Sequence, residues 1–309
     1  MAFLAGLACG LILALLAAAL WARQAVSRPL AEISRAAEGL ARGEEQARVR
    51  LPARGTLGRL GATLNFLAER IQHDISELRR LEQIRKDFVA NVSHELRTPL
   101  ASIKAFAETL ASGGLEDKAN RLEFVSEIER NADRMTRLVD DLLQISALEA
   151  GRMPPAFESL SLMRVAAEVA AGLKPLAEKK GIVLRLEPFG DLPQVRADRS
   201  QLKQVLVNLI DNAIKYGGEN GVVRISARST SDGLTVSVQD TGPGIPPEDR
   251  LRVFERFYRV DKARSRELGG TGLGLSIVKH IVELHGGSAG VDAPPEGGSR
   301  FHFTLPSAS

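Results

Sequence analysis

The spacing of the apolar residues changes once along this chain, at Pro154-Pro155. Before the two prolines, apolar residues recur every three or four positions, which is the period of an α-helix. After them, short runs with alternating apolar residues are separated by helical stretches. The predicted strands are residues 182–186, 222–227, 234–238 and 301–305, and the predicted helices are Leu162–Lys180, Ser200–Tyr216 and Leu273–His285. We therefore predict an all-α part up to residue 152, followed at 155–309 by an α/β two-layer sandwich.

Length and charge narrow the classes of protein to consider. The chain has 309 residues, more than one hydrophobic core usually serves, so several domains are expected. Its net charge is only +3, and no basic stripe with interleaved aromatic residues is present, so nucleic acid is not an expected partner. The single cysteine, Cys9, excludes an intramolecular disulfide and a metal site built from cysteines.

The N-terminus is apolar and carries no charge from Ala2 to Leu20. A helix of this run is about 28 Å long, enough for the hydrocarbon core of a bilayer. Trp21 ends the run, and Arg23 and Arg28 follow it. We predict a transmembrane helix at residues 2–21, with the rest of the chain in the cytoplasm. The alternative is a cleaved signal peptide, which usually has a basic segment before its apolar run; none is present here.

Residues 22–76 show helical spacing twice, with a polar connector between the two stretches. Pro29 suits the first turn of the first helix, Gly43 ends that helix, and the second helix begins near Leu57. The segment is either a helix–connector–helix relay or a plain coiled-coil stalk. Both alternatives predict a homodimer with parallel pairing, because neither apolar stripe can be buried by one chain.

Residues 77–152 predict a helical hairpin with a histidine on its first helix. Gly113-Gly114 break the helical pattern between two amphipathic stretches, and two such hairpins would close a four-helix bundle. His94 and Thr98 are four residues apart and share a helix face. Thr98 stands where a His-Glu-x-x-His zinc site would need its second histidine, so that site is excluded. His94 is either an ordinary solvated side chain or a nucleophile, since a neutral imidazole is available near neutral pH.

The α/β part carries polar residues on one face of a predicted helix. Asn208, Asn212, Lys215 and Tyr216 share this face, and apolar residues occupy the other. An amide oxygen suits Mg²⁺, which bridges to phosphates, and a lysine supplies a cation for a phosphate group.

Two glycine-containing turns follow in the same part of the chain. Asp240-Thr241-Gly242-Pro243-Gly244 comes directly after a predicted strand; its carboxylate can accept a hydrogen bond from an amine such as adenine N6, and its glycines let the backbone approach a flat base. Residues 269–275 read Gly-Gly-Thr-Gly-Leu-Gly-Leu and open a helix, where backbone amides bind phosphate. Leu275 replaces the lysine of a Walker A loop, so that motif is excluded. The polar stretch from Asp261 to Leu268 would suit a lid over the phosphates.

Taken together, these motifs resemble those of membrane-bound sensor histidine kinases of two-component systems, in particular the phosphate-regulon sensor kinase group. Residues 88–100, Phe-Val-Ala-Asn-Val-Ser-His-Glu-Leu-Arg-Thr-Pro-Leu, resemble the phosphoacceptor box of this family, and residues 22–76 resemble a HAMP linker that lacks the usual acidic residue. Residues 155–309 resemble the ATP-binding domain (Bergerat or GHKL type) that histidine kinases share with gyrases, Hsp90 and MutL proteins.

The resemblance implies specific roles for residues. His94 would accept the phosphoryl group, Glu95 would take up the imidazole proton, and Thr98 would orient water for removal of phosphate from the partner. Asn212 would bind Mg²⁺, supported by Asn208. The implied ATP-binding residues are Asn208, Asn212, Lys215, Tyr216, Asp240, Gly242, Gly244, Gly270, Gly272, Gly274 and Leu275.

The implied protein is a homodimeric protein histidine kinase in the bacterial inner membrane, with its catalytic part in the cytoplasm. It would use ATP and Mg²⁺ to phosphorylate His94 and then pass the phosphoryl group to an aspartate in the receiver domain of a separate response regulator. The alternatives are a regulator-directed phosphatase with little kinase activity, an ATPase of the same superfamily that acts as a conformational clamp, and an idle membrane scaffold.

Overall fold

The structure, a computed structural model, describes residues 2–52, 55–188, 192–230, 233–261 and 268–306. The described chain forms two compact units, Met1–Val89 and Ala90–Ser309. Most of the predicted lid between Asp261 and Leu268 lies outside the described residues.

The first unit begins with helix α1, Ala2–Ala22, which passes through a π-helical segment, Arg23–Ser27, into helix α2, Arg28–Ala41. Among the described residues, one helical stretch, Cys9–Ala41, is long and apolar enough to cross a membrane. Leucines such as Leu11 and Leu16 are exposed along it. A water-soluble fold buries most of its large apolar side chains, so this stretch fits the predicted anchor by length and composition.

The connector after α2 packs between α2 and helix α3, which begins at Gly55. Ile33, Ala36 and Val49 form a small buried core. The Asn65 side chain holds the connector from α3: its Oδ1 accepts the Val49 N–H at 2.9 Å, and its Nδ2 donates to the Val49 carbonyl at 2.8 Å. The predicted helix–connector–helix pattern is therefore confirmed.

Helix α3 is 55 residues long, from Gly55 to Thr109, so the helix predicted near Leu57 and the helix of His94 are one continuous element. It ends in a π-helical segment, Leu110–Gly114, where Gly113 has a φ of 113°, a value that glycine adopts without strain. Helix α4, Arg121–Glu149, returns alongside it. The predicted break at Gly113-Gly114 and the helical hairpin are confirmed.

The α/β domain follows the hairpin within the second unit. Its elements are β1 Glu158–Leu160, α5 Leu162–Lys179, β2 Val183–Leu186, β3 Val195–Ala197, α6 Arg199–Tyr216, β4 Val222–Thr230, β5 Gly233–Gln239, a single 3₁₀ turn Arg252–Phe254, α7 Gly274–Leu284, β6 Ala289–Asp292 and β7 Arg300–Leu305. The main sheet has the strand order β2-β4-β5-β7-β6; β2 and β4 are parallel, and the other neighbours are antiparallel. Strands β1 and β3 form a separate antiparallel pair.

Helices α5, α6 and α7 cover this sheet and bury a shared core. On α6, Val205, Leu209 and Ala213 are fully buried, as the apolar face of the sequence predicts. On β7, the alternating Phe301 and Phe303 point into the same core. The predicted two-layer α/β sandwich is therefore confirmed. This packing leaves the polar face of α6, the end of β5 and the start of α7 around one cavity.

Candidate functional site

A cavity of about 1030 Å³ opens in the second unit. Six segments of the chain line it. Four of them form the walls that carry the predicted residues or meet the hairpin: α6, the turn after β5, the glycine-rich turn before α7, and the hairpin helix α4; the other two lie within residues 250–261 and 293–301. The structure brings together ten of the eleven residues implied by resemblance for ATP binding. These are Asn208, Asn212, Lys215, Tyr216, Asp240, Gly244, Gly270, Gly272, Gly274 and Leu275.

The α6 wall presents amides and a cation. Asn208 and Asn212 line the cavity one helical turn apart. The Asn208 side chain donates from Nδ2 to the Gly274 carbonyl at 3.3 Å, which ties α6 to the start of α7. Lys215 lies next to Asp211, with 2.6 Å between Nζ and Oδ2. This wall therefore combines oxygen ligands suited to Mg²⁺ with a cation suited to phosphate.

Asp240 lies at the end of β5 and is only 4% exposed. Its Oδ1 accepts the N–H groups of Gly242 at 2.8 Å and Ser299 at 3.3 Å. Burial raises the pKa of Asp240 despite these two hydrogen bonds. Gly242 does not line the cavity but lies behind the carboxylate, where a Cβ would stand 2.4 Å from the Tyr216 carbonyl oxygen. Gly242 thus orients Asp240 instead of facing a ligand.

The glycine-rich turn leads directly into α7. Gly270, Gly272 and Leu275 line the cavity, and the helix begins at Gly274. Gly272 has a φ of +75°, and a Cβ there would lie 2.9 Å from the Cα of Phe257, so only glycine fits this turn. The N-terminus of α7 lies at the cavity, and the free N–H groups of a helix N-terminus suit anions such as phosphate.

The fourth wall comes from the hairpin, and sequence reasoning missed it. Arg137, Asp140, Asp141 and Gln144 of α4 line the cavity. Asp141 accepts a hydrogen bond from the Thr271 hydroxyl, with 2.6 Å between the oxygens. Burial raises the pKa of Asp141, against the opposing effects of the Thr271 hydrogen bond and nearby cations. One feature of the sequence could have indicated this wall: polar residues recur at three- and four-residue steps beside the apolar stripe of α4.

His94 is exposed on α3 and does not line the cavity. The next residue, Glu95, is only 15% exposed, and its Oε2 is shared by Arg134 of α4 at 3.1 Å and Arg259 of the α/β domain at 2.9 Å. The same Arg259 nitrogen donates to the Gly270 carbonyl at 2.9 Å. The two arginines were not singled out in the sequence, because nothing local to either one indicates its partner.

Thr98 lies one turn after His94, and its hydroxyl donates to the His94 carbonyl at 3.2 Å. This is the ordinary hydrogen bond of a threonine within a helix. The structure therefore places Thr98 on the face of His94 and gives its hydroxyl a backbone partner.

Three family descriptions match the chain. Residues 21–73 match the HAMP domain, residues 84–151 match the His Kinase A (phospho-acceptor) domain, and residues 197–309 match the histidine kinase-, DNA gyrase B- and HSP90-like ATPase. All three agree with the resemblance inferred from the sequence.

Individual proteins give the same result. The chain is 41% identical over 236 residues to the sensor histidine kinase WalK of Bacillus subtilis, covering 76% of this chain and 38% of that protein. It is 37% identical over 232 residues to the phosphate regulon sensor protein PhoR of Pseudomonas aeruginosa, covering 74% of this chain and 52% of that protein. The chain thus spans about 40 to 50% of the length of these curated relatives.

Among solved structures, the chain resembles the histidine kinase ThkA in its complex with the response regulator protein TrrA. The TM-score is 0.63 at 28% sequence identity, covering 77% of this chain and 66% of that chain. The chain therefore carries HAMP, phosphoacceptor and histidine kinase-like ATPase domains in this order, and it is similar in sequence to sensor histidine kinases.

Proposed function

We propose that this protein is a sensor histidine kinase that transfers the γ-phosphoryl group of ATP to His94 and from there to an aspartate of a response regulator. The proposal rests on one observation, the combination of features in the second unit. It combines a cavity lined by ten of the predicted nucleotide-binding residues with a solvent-exposed histidine in the matching phosphoacceptor box.

The cavity suits a nucleotide in volume and in chemistry. Its volume of about 1030 Å³ exceeds what a drug-sized ligand needs. Asp240 offers a buried acceptor to the adenine amine, and the N-terminus of α7 with Lys215 offers N–H groups and a cation to the phosphates. Asn212 would hold Mg²⁺ and Asn208 would support it, and when bound this ion would neutralise charge on the phosphates.

His94 supplies the nucleophile of the proposed reaction. A lone pair on one imidazole nitrogen forms the bond to the γ-phosphorus, the bond from that phosphorus to the β–γ bridging oxygen breaks, and ADP leaves with the electron pair. The proton on the other ring nitrogen passes to the Glu95 carboxylate, so phosphohistidine, ADP and one proton account for all atoms. Because the chemistry needs little covalent help, positioning and electrostatics supply most of the catalysis.

The proposed partners are a second copy of this chain and a response regulator. Several large apolar side chains on the hairpin are exposed in the single chain: Val89, Leu100, Leu122, Val125, Val139 and Leu143. Burying them against a second hairpin would complete a four-helix bundle. The ThkA structure is a complex with a response regulator, which supports a receiver domain as the second partner. Thr98, beside His94, would then orient water for dephosphorylation of that regulator.

The proposed location is the bacterial inner membrane, with the catalytic part in the cytoplasm. The apolar stretch at the N-terminus and the HAMP match that follows it support this location. Arg23 and Arg28, directly after the apolar run, favour the cytoplasmic side for the remainder.

The proposed activity is tested with the full chain in detergent, γ-labelled ATP and Mg²⁺. We expect label that is lost in acid and stable in base, as a phosphohistidine requires, and its transfer to a purified receiver domain. Nucleotide binding without any label would contradict the kinase and favour the clamp. Weak labelling together with rapid dephosphorylation of a phosphorylated receiver domain would favour the phosphatase.

Asp240→Asn should weaken ATP binding by at least about tenfold. The backbone donors from Gly242 and Ser299 hold the amide oxygen of the new side chain, so its NH₂ group faces the adenine amine and a hydrogen bond is replaced by two opposed donors. A buried unmade hydrogen bond costs about 1–3 kcal/mol. Calorimetric titration with a non-hydrolysable ATP analogue checks this. Exposed Glu219, changed to Gln, is the matched control and should bind as wild type does.

A further inference from the structure

Glu95, next to the phosphoacceptor, is held by two arginines from different parts of the second unit. Arg134 belongs to the hairpin, as Glu95 does, whereas Arg259 belongs to the α/β domain. All three side chains are largely buried: Glu95 is 15% exposed, Arg134 12% and Arg259 5%. Contacts between largely buried charges matter more than surface ion pairs, because solvent screens them less.

The observed arrangement leaves His94 outside the lining of the cavity. The glycine-rich turn is held at Asp141 through Thr271. Asp141 follows Arg134 by seven residues, which is about 10 Å along α4. We infer that the α/β domain shifts along the hairpin before transfer, and a shift of this kind would separate Arg259 from Glu95. If the α/β domain of a second copy of the chain made the transfer instead, it would also have to displace the α/β domain of this copy from the hairpin.

After such a shift, the Arg259 guanidinium could bind the phosphates in place of Glu95. It lines the cavity, already touches the Gly270 carbonyl of the glycine-rich turn, and its buried Nε has no hydrogen-bond partner among the described residues. A guanidinium in this position can turn to the phosphates. Glu95 would then lose one of its two cations at the moment when it must act as a base.

We propose that Arg134 is the positioning residue that keeps Glu95 ionised and in place for the proton of His94 while Arg259 is away. This inference rests on the proposed function. Arg134 and Glu95 both belong to the hairpin, so their contact does not depend on where the α/β domain lies. Without Arg134, the departure of Arg259 would leave a partly buried carboxylate without a cation, which favours its neutral form. A protonated Glu95 cannot take up the imidazole proton.

The contacts of Glu95 determine in which direction the pH profile of His94 labelling should shift when Arg134 is replaced. Among the described residues, the charged groups that contact Glu95 are Arg134 from α4 and Arg259 from the α/β domain, and His94 and Arg97 are its charged or titratable neighbours on α3. An opposite charge close to a carboxylate favours its ionised form, and Arg134→Gln removes such a charge. The acidic limb of the rate profile therefore moves to higher pH.

The test is the initial rate of His94 labelling by the full chain in detergent, measured from pH 5 to 9 at saturating ATP and Mg²⁺. For Arg134→Gln we expect a rate at least about tenfold lower at pH 6 and an acidic limb shifted upward by about one pH unit, the effect of losing a neighbouring opposite charge. Binding of a non-hydrolysable ATP analogue should be unchanged, because Arg134 does not line the cavity. Arg134→Lys should restore most of the acidic limb.

Arg130→Gln is the matched control. Arg130 lies one turn earlier on α4, is exposed and pairs with Glu127, so its loss should leave rate and profile unchanged. Arg134→Met provides a second uncharged variant and must shift the limb in the same direction. A wild-type profile for Arg134→Gln, or an equal loss of rate at every pH that lysine does not rescue, would overturn the proposal. Failure of the wild-type chain to label at all would instead contradict the proposed function.

Discussion

Replacing His94 with Gln is expected to reduce acid-labile labelling from γ-labelled ATP to background. The imidazole is the proposed nucleophile, and a glutamine amide of similar reach cannot form the bond to phosphorus. Because His94 is exposed and does not line the cavity, nucleotide binding and folding should stay unchanged. The measurement is the label on the purified full chain after acid and base treatment, with binding of an ATP analogue measured on the same preparation.

His73 provides a matched control for this substitution. It is another exposed histidine on α3, outside the phosphoacceptor box. His73→Gln should label as wild type does, since exposure and helical position alone do not make a phosphoacceptor. Acid-labile label that survives in His94→Gln would contradict the assignment of His94, and loss of label in both variants would point to a general disturbance of the helix.

The second large effect is expected from Asn212→Ala. Asn212 lines the cavity on the same face of α6 as Asn208 and Lys215, and it is the proposed Mg²⁺ ligand. Its loss should lower the labelling rate at least about 100-fold, which corresponds to about 2.7 kcal/mol in activation free energy. The measurement is the rate at increasing Mg²⁺ concentrations, which should show a much weaker dependence on the ion than wild type.

Gln204→Ala separates the position of Asn212 from its chemistry. Gln204 is also an amide on α6 and lines the same cavity, but it has no proposed role in binding the ion. We expect its labelling rate to stay within about threefold of wild type, an effect of less than 1 kcal/mol. An Asn212→Ala variant with the wild-type Mg²⁺ dependence would exclude Asn212 as the metal ligand.

The local spacing of apolar residues was sufficient to predict most helices and strands of the fold. Strands β4, β5 and β7 are five or more residues long and show clear alternation, so their positions followed from the sequence. Strands β1, β3 and β6 have only three or four residues, which is too short for an alternation to stand out. The continuity of α3 was not predicted. Different parts of one long helix pack against different neighbours, so its apolar stripe changes along its length, and in the sequence this change resembles a break between two helices.

The meeting of the predicted polar residues of α6 at one cavity followed from the sequence for the same physical reason. On α6, side chains four residues apart share a face, so burial of Val205 and Leu209 places Asn208 and Asn212 toward the cavity. Glycines in the turns likewise indicate close backbone approach wherever they occur. Resemblance to a known family then supplied the roles that such short patterns leave open.

Only the tertiary structure decided how the phosphoacceptor hairpin meets the ATP-binding domain. Glu95 and Arg259 are 164 residues apart in the chain, and Asp141 and Thr271 are 130 apart. Contacts of this kind depend on how two folded parts pack, and nothing in the residues next to Glu95 or Arg259 indicates the distant partner. The sequence by itself thus determined the helices, the longer strands, the phosphoacceptor box and the nucleotide motifs. Packing decided that α4 closes the cavity and that two arginines meet at one carboxylate.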